Sequence, residues 1–101
     1  GDETMGSDGS LLPILTEAFN GMGDAYRQKA DKFRDAEDYN EALLAYMHVV
    51  VLSEEPVSER RHALLQSGKC SMKIGRKDMA QSLFGELKSR YPSSQEAKEA
   101  N

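Results

Sequence analysis

The sequence predicts an all-α fold. Apolar residues recur at steps of three and four in successive segments, which is the spacing of one face of a helix. Turn-forming residues such as Pro56, Gly75 and Pro92 lie between these segments. The β-branched run 49–51 would suit a strand, but it follows residues 42–45 with helical spacing and no break, so we assign it to a helix.

The first element is predicted as one long helix over residues 11–37. Pro13 falls in its first turn, where a missing N–H costs little. The glycines at 21 and 23 favour the alternative of two helices broken at Gly21, but the apolar stripe keeps its phase across them. Its members are Leu12, Leu15, Phe19, Met22, Tyr26, Ala30 and Phe33. Residues 1–10 are polar, acidic and glycine-rich, which predicts a disordered tail.

The second element follows a predicted tight corner at residues 38–41. Its inward residues are Ala42, Leu43, Tyr46, Val49, Val50 and Leu52. Residues 53–56 close the element, and Pro56 is placed as the first residue of the third helix.

Three more helical segments complete the predicted domain, residues 11–101. The third helix extends to about Ile74, with Leu64, Leu65, Gly68, Met72 and Ile74 on or near its buried side. Gly75 ends it and opens a corner over residues 75–78. The fourth helix extends to Tyr91 and Pro92, and Ser93 or Ser94 caps a short trailing helix over 93–101. The helices pair as two hairpin units, about 11–53 and 56–91.

Two stretches of the chain look alike. In residues 37–46 and 75–84 a polar corner is followed by Ala42 or Ala80 and, four residues later, by Tyr46 or Phe84. This pattern resembles the second helix of a tetratricopeptide repeat (TPR). Phe19, Met22, Gly23 and Tyr26 resemble the first helix of such a repeat. A weaker match in the second unit is formed by Leu64, Ser67, Gly68 and Ser71.

The resemblance implies antiparallel hairpins stacked as a short TPR-like α-solenoid, in which Gly23 and Gly68 contact the second helices through Ala42 and Ala80. Gly68 precedes Ala80 by 12 residues, the spacing usual in the family, whereas Gly23 precedes Ala42 by 19. The excess of seven equals about two helical turns, so it lengthens the first helix without rotating its faces. Residues 89–97 resemble the junction between repeats in bacterial members.

The function that the resemblance implies is non-catalytic protein binding, as a scaffold or adaptor. A peptide or protein would occupy the concave face formed by the first helix of each unit. The residues expected there are Asn20, Asp24, Arg27, His62, Leu65, Lys69, Met72 and Lys73. The alternatives are that this face is only solvated surface, or that the chain is a structural module that self-associates or stacks on other domains of a larger protein.

The charge distribution bears on these alternatives. Residues 1–56 contain 12 acidic and 4 basic side chains, whereas residues 57–101 contain 5 acidic and 9 basic. Opposite fields on the two halves suit head-to-tail self-association into a homo-oligomer or a partner of complementary charge, although solvated surface explains them equally.

Other functions find little support in the sequence. No nucleophile–base pair or phosphate-binding loop predicts catalysis or a cofactor, and His48, His62 and Cys70 lack the spacing of metal ligands. Cys70 is expected to be a packed, unreactive residue. A pI of about 5.1 disfavours nucleic acid as a partner. No run predicts a transmembrane segment. Localisation stays open between bacterial cytoplasm and cell envelope, because any signal would precede this chain.

Overall fold

Helices account for nearly all of the chain that the structure describes. The computed structural model describes residues 8–52 and 56–100, and within these ranges it contains no strand. The all-α class is therefore confirmed. The helices are α1 (Asp8–Phe33), α2 (Ala36–Leu52), α3 (Val57–Lys73), α4 (Lys77–Arg90) and α5 (Gln95–Glu99). Most of the predicted tail, the closing residues 53–55 and Asn101 lie outside the described residues, while residues 8–10 belong to α1.

Helix α1 passes through both glycines without a break, so the prediction of one long helix is confirmed and the alternative of a break at Gly21 is wrong. It has 26 residues, whereas α2 has 17. At about 1.5 Å per residue these helices are about 39 and 26 Å long. The N-terminal end of α1 therefore extends past the end of α2.

The corner between α1 and α2 lies earlier than predicted, at Arg34 and Asp35 instead of residues 38–41. Arg34 adopts a left-handed conformation with φ of 58°, which ends α1. A carboxylate oxygen of Asp35 accepts a hydrogen bond from the backbone N–H of Glu37 at 2.9 Å and so caps α2. The predicted corner residues consequently form the first turns of α2, where Asp38 and Tyr39 are buried.

The later boundaries follow the sequence signals to within a few residues. Pro56 is the residue before α3, not its first residue. Gly75, with φ of 80°, ends α3 as predicted. The N–H of Arg76 bonds to the carbonyl of Ser71 at 2.8 Å, and that of Gly75 to Met72 at 3.2 Å, the pattern of a Schellman motif. Helix α4 begins at Lys77, and Ser94, not Ser93, caps α5.

Helices that follow one another in sequence pack side by side. Contacts between α1 and α2 pair early residues of one with late residues of the other, as for Phe19 with His48 and Asp31 with Tyr39, so these helices are antiparallel. In contrast, Asn20 bonds to Glu59, and Asp24 to His62, so α1 and α3 are parallel. Helix α2 packs on both α1 and α3, and α4 packs on both α3 and α5.

The core consists of two connected clusters of buried side chains. The first joins α1, α2 and α3 around Tyr46, which is fully buried. The second joins α3, α4 and α5 around Leu64 and Leu87, which are fully buried as well. Met47 and Val50 of α2 pack against both clusters, so the two hairpins share one continuous core.

The two glycines of the repeat-like pattern make equivalent contacts. A Cβ atom built on Gly23 would lie 2.5 Å from the ring of Tyr46, and one on Gly68 would lie 2.3 Å from the ring of Phe84. Both glycines are thus points of close helix approach, as expected. The nearest group is the aromatic ring in each case, and not the alanine that the sequence pattern suggested, because the ring occupies the space that a side chain at the glycine would fill.

The predicted stripe of α1 is buried at Ala30 but exposed at Phe33. In the first half of the helix the prediction is wrong at Leu15 and Met22, which are exposed, whereas Phe19 packs partly buried against the first core cluster. The buried residues there are Thr16, Asn20 and Gly23. The hydroxyl of Thr16 donates a hydrogen bond to the carbonyl of Pro13 at 3.0 Å. The opposite side of the same turns is apolar and exposed. We call it the outer face of α1, and its residues are Leu11, Ile14, Leu15, Ala18, Gly21, Met22 and Ala25.

Candidate functional site

A polar network joins α1, α2 and α3 at the centre of the predicted concave face. The Tyr46 hydroxyl donates to a carboxylate oxygen of Asp24 at 2.5 Å and accepts from Nε of Arg27 at 3.2 Å. The same oxygen of Asp24 lies 2.7 Å from Nε2 of His62. Burial, and next the bond to Asp24, raises the pKa of Tyr46 above its usual value, so the hydroxyl is a donor at neutral pH. This network fixes α3 beside α1.

Two of the residues predicted to contact a partner are buried, which corrects the prediction for them. Asn20 is 3% exposed and donates to the carbonyl of Glu59 at 2.9 Å and to its side chain at 2.6 Å. Leu65 is 3% exposed and belongs to the second core cluster. The hydrogen bonds of Asn20 join α1 to α3, and the side chain of Leu65 packs toward α4 and α5. Both side chains are thus engaged mainly within the domain.

The other predicted residues, except Met72, belong to the network or to a basic hollow. Asp24 and His62 are half-buried in the network, and Met72 is exposed. Arg27, Lys69 and Lys73 converge on a hollow of about 530 Å³ between α1, the start of α2 and α3. Five residues that the sequence analysis did not place at a site complete its lining: Asp31, Arg34, Tyr39, Gln66 and Cys70.

Cations dominate this hollow, which we call the basic hollow. Its lining contains Arg27, Arg34, Lys69 and Lys73 but only one carboxylate, that of Asp31. Arg27 forms ion pairs with two carboxylates, that of Asp24 at 3.8 Å and that of Asp31 at 3.5 Å. Such a surplus of positive charge in a concave surface favours an anionic ligand.

Most of these cations are available to a ligand. Lys69 contacts Glu99 of α5 at 3.4 Å, but each side chain of this pair is nearly half exposed, so the contact is weak and exchangeable. The ammonium of Lys73 lies 5.9 Å from the ring centre of Tyr39. Within residues 8–52 and 56–100, neither Lys73 nor Arg34 forms an ion pair with a carboxylate.

The floor of the basic hollow is uncharged at neutral pH. The Tyr39 hydroxyl donates a hydrogen bond to Asp31, and this bond, followed by burial, raises the pKa of Tyr39 to about 12. Burial raises the pKa of the Cys70 thiol to about 11. Both groups therefore keep their protons, and the charge of the hollow comes from its rim.

We expect Cys70 to be unreactive in the folded protein. Its side chain is 1% exposed, and its raised pKa leaves almost no thiolate, the form that attacks alkylating reagents, near pH 8. Iodoacetamide should modify it at least roughly a hundredfold more slowly in buffer than in denaturant, since both access and thiolate are restored on unfolding. Mass spectrometry of timed aliquots measures the two rates. Equal rates would show that the thiol is reachable in the native state.

A second hollow of opposite charge lies further along the same two helices. It is lined by Glu17, Asn20, Gly21, Asp24, Ser58, Glu59, His62 and Glu96. The groove between α1 and α3 is thus basic toward the C-terminal ends of these helices and acidic toward their N-terminal ends. A ligand lying along it would meet both signs of charge, which fixes one direction of binding.

Neither a metal-ligand cluster nor a membrane-spanning helix occurs in residues 8–52 and 56–100. Among the described residues, His, Cys, Asp and Glu side chains form no group of three or more that could hold a metal ion. None of the described helices is long and apolar enough to span a bilayer.

Comparisons with known proteins give no assignment: no protein-family model matches the chain, and neither the curated proteins nor the solved structures include a match.

Proposed function

We propose that this chain is a non-catalytic protein-interaction module of the tetratricopeptide-repeat type, which binds an acidic segment of a partner protein in the basic hollow. The basic hollow itself is the main observation in favour of this function. Four cations surround a concave surface, two of them without a carboxylate partner among the described residues. Its volume of about 530 Å³ lies within the range of about 300–1,000 Å³ for ligand pockets.

The repeat architecture is supported by the equivalent glycine contacts. Gly23 lies against Tyr46 and Gly68 lies against Phe84, in helices related by the same hairpin arrangement. The sequence separations of the two pairs are 23 and 16 residues, so they differ by the seven residues assigned to the longer first helix. Repeated hairpins of this kind present their first helices side by side, and an extended segment can lie in the groove between them.

Binding to an acidic segment would be electrostatic at its centre. Carboxylates of the partner would replace the exchangeable contact of Lys69 with Glu99 and would pair with Lys73 and Arg34. Each such pair is worth about 1 kcal/mol or less while it is exposed to solvent, so affinity depends on several pairs forming together. The same logic makes binding weaken as salt is added, because exposed charges are screened.

The test measures binding of a fluorescein-labelled hexaglutamate peptide by fluorescence polarisation at low and high salt. The variant Lys69→Glu with Lys73→Glu should weaken binding roughly tenfold or more. The matched control is Lys77→Glu with Lys88→Glu, which makes the same change in net charge at two exposed positions outside the basic hollow. We expect the control to bind nearly as the parent does, with both variants folded by circular dichroism.

Two results would reject the proposal. Equal weakening by both double variants would mean that net charge, and not the basic hollow, attracts the peptide. Binding of a hexalysine peptide as tight as that of hexaglutamate would remove the assignment of an acidic ligand.

A further inference from the structure

The outer face of α1 is an exposed apolar surface of the described part of the chain. Leu11, Ile14, Leu15 and Met22 are 41–61% exposed. Ala18, Gly21 and Ala25 lie between or beyond them and are exposed as well. From residue 11 to residue 25 the only exposed charged side chain is that of Glu17. A helix face of this composition is typical of a protein–protein contact.

This apolar surface continues onto α2. The ring of Phe19 stacks on that of His48 with centroids 4.5 Å apart, and these two residues join the helices at the surface. Leu44 and Val51, one turn before and one turn after His48, are 52% and 77% exposed and line a shallow apolar hollow with it. The α1 and α2 hairpin therefore has one apolar side that no described part of the chain covers.

We infer that a second copy of this chain covers this side, with the two α1 helices packed antiparallel about a two-fold axis at Ala18. A symmetric dimer requires a surface that is complementary to itself, because the same residues occupy both sides of the contact. The residues of the outer face of α1 meet this requirement because they are spaced symmetrically in sequence about Ala18. An antiparallel pairing centred on Ala18 brings its members opposite one another: Leu11 with Ala25, Ile14 with Met22, Leu15 with Gly21, and Ala18 with Ala18.

The sizes of the paired residues are complementary too. In two of these pairs a leucine lies opposite Ala25 or Gly21, so a large side chain meets a small one. At the axis Ala18 meets its own copy, and small residues there allow the helix backbones to approach closely. Ile14 meets Met22, whose flexible side chain adapts to its surroundings. The pairing also places Glu17 opposite Phe19, so like charges do not oppose each other.

The exposed area fits the size of a dimer contact. Six large apolar side chains on this side of the hairpin are 41–77% exposed. With about half of each side chain exposed, together they present on the order of several hundred Å² before the small residues are added, against about 800 Å² for each partner in a standard interface. The inferred contact involves neither Lys69 nor Lys73, so it is independent of the proposed peptide site.

Sedimentation equilibrium of the full chain from micromolar to millimolar concentration tests the inference. We expect an association to twice the mass of 11.2 kDa that persists at high salt, because apolar contacts are not screened. Ala18→Glu should abolish it by placing two carboxylates on the axis. Gln81→Glu, an exposed substitution on α4, is the matched control and should leave it unchanged.

Disulfide trapping tests the geometry. Ala18→Cys should form an intermolecular disulfide under mild oxidation, because only residues near a two-fold axis bring their own copies within the 4.4–6.8 Å between Cα atoms that a disulfide needs. Gln81→Cys should not. A chain that stays monomeric at every concentration, a dimer that survives Ala18→Glu, or a dimer that weakens with salt in the manner of head-to-tail charge pairing would each overturn the inference.

Discussion

Replacing Tyr46 with Ala should destabilise the domain by about 3–5 kcal/mol, the usual cost of deleting a fully buried aromatic side chain. Tyr46 is 0% exposed and lies at the centre of the first core cluster, against the backbone of Gly23. Its loss opens a cavity between α1 and α2 and removes the hydroxyl that bonds Asp24 and Arg27. Because small domains have about 5–15 kcal/mol of stability in total, this one change removes a large fraction of it.

Tyr46→Phe separates the two contributions, because it keeps the ring and removes only the hydroxyl. We expect a loss of about 1–2 kcal/mol from it, since Asp24 and Arg27 remain half-exposed and can turn to water. Urea unfolding followed by circular dichroism measures both variants on the same scale. If Tyr46→Phe is as damaging as Tyr46→Ala, the polar network and not the packing of the ring holds the first hairpin together.

Gly23→Ala should also destabilise the domain, although alanine is the better helix former. The added methyl group would lie 2.5 Å from the ring of Tyr46, a distance that requires the ring or the helix to move. The ring is buried and hydrogen-bonded, so it cannot move cheaply. Overpacking of this kind costs about 1–3 kcal/mol, which exceeds the roughly 1 kcal/mol that alanine gains over glycine in a helix.

Gly85→Ala is the matched control for Gly23→Ala. Gly85 lies within α4, is exposed, and would have no neighbour within 4 Å of an added methyl group. The same substitution should therefore stabilise the domain there by about 0.5–1 kcal/mol. Opposite signs of the change in unfolding free energy are the expected result. A stabilising Gly23→Ala would mean that α1 and α2 do not approach as closely at this point as the structure indicates.

The number and order of the helices could be predicted from the sequence, because at most helix ends the local sequence signals agree with the structure. Gly75 supplies the left-handed residue that ends α3, and Ser94 supplies the cap of α5. The corner at Arg34 and Asp35 was missed because it contains no glycine or proline. There an arginine adopts the left-handed conformation, and the only sequence signal is an aspartate in a segment with many charges.

The faces of α1 were harder to predict because hydrophobic periodicity identifies an apolar side without saying what covers it. Met22 and Gly23 lie about 100° apart around the helix, so both could not face α2. The inward stripe of Thr16, Asn20 and Gly23 also has helical spacing, but it is polar or small and gives no hydrophobic signal. Gly23 faces α2 because only a residue without a side chain fits against the ring of Tyr46. Hydrophobic periodicity does not report a close contact of this kind.

Three of the residues that line the basic hollow could be named from the sequence pattern. Arg27, Lys69 and Lys73 come from the helices that the repeat pattern assigns to the concave face, and they do converge. Arg34 and Tyr39 were missed because their positions depend on the corner, which the sequence analysis placed four residues too late. The repeat pattern places Leu65 on the concave face. In the structure its side chain instead packs in the second core cluster, with residues of α4 and α5.

The overhang of α1 beyond α2 has a consequence for local stability. Of residues 11–15 none is buried, and Thr16 is the first buried residue in the part of α1 whose side chains the structure describes. Short helical segments without tertiary support open readily, so amide hydrogens in these turns should exchange with solvent far faster than those around Ala30 in an isolated chain. If these amides become more protected from exchange as the protein concentration rises, another molecule is binding to the overhang.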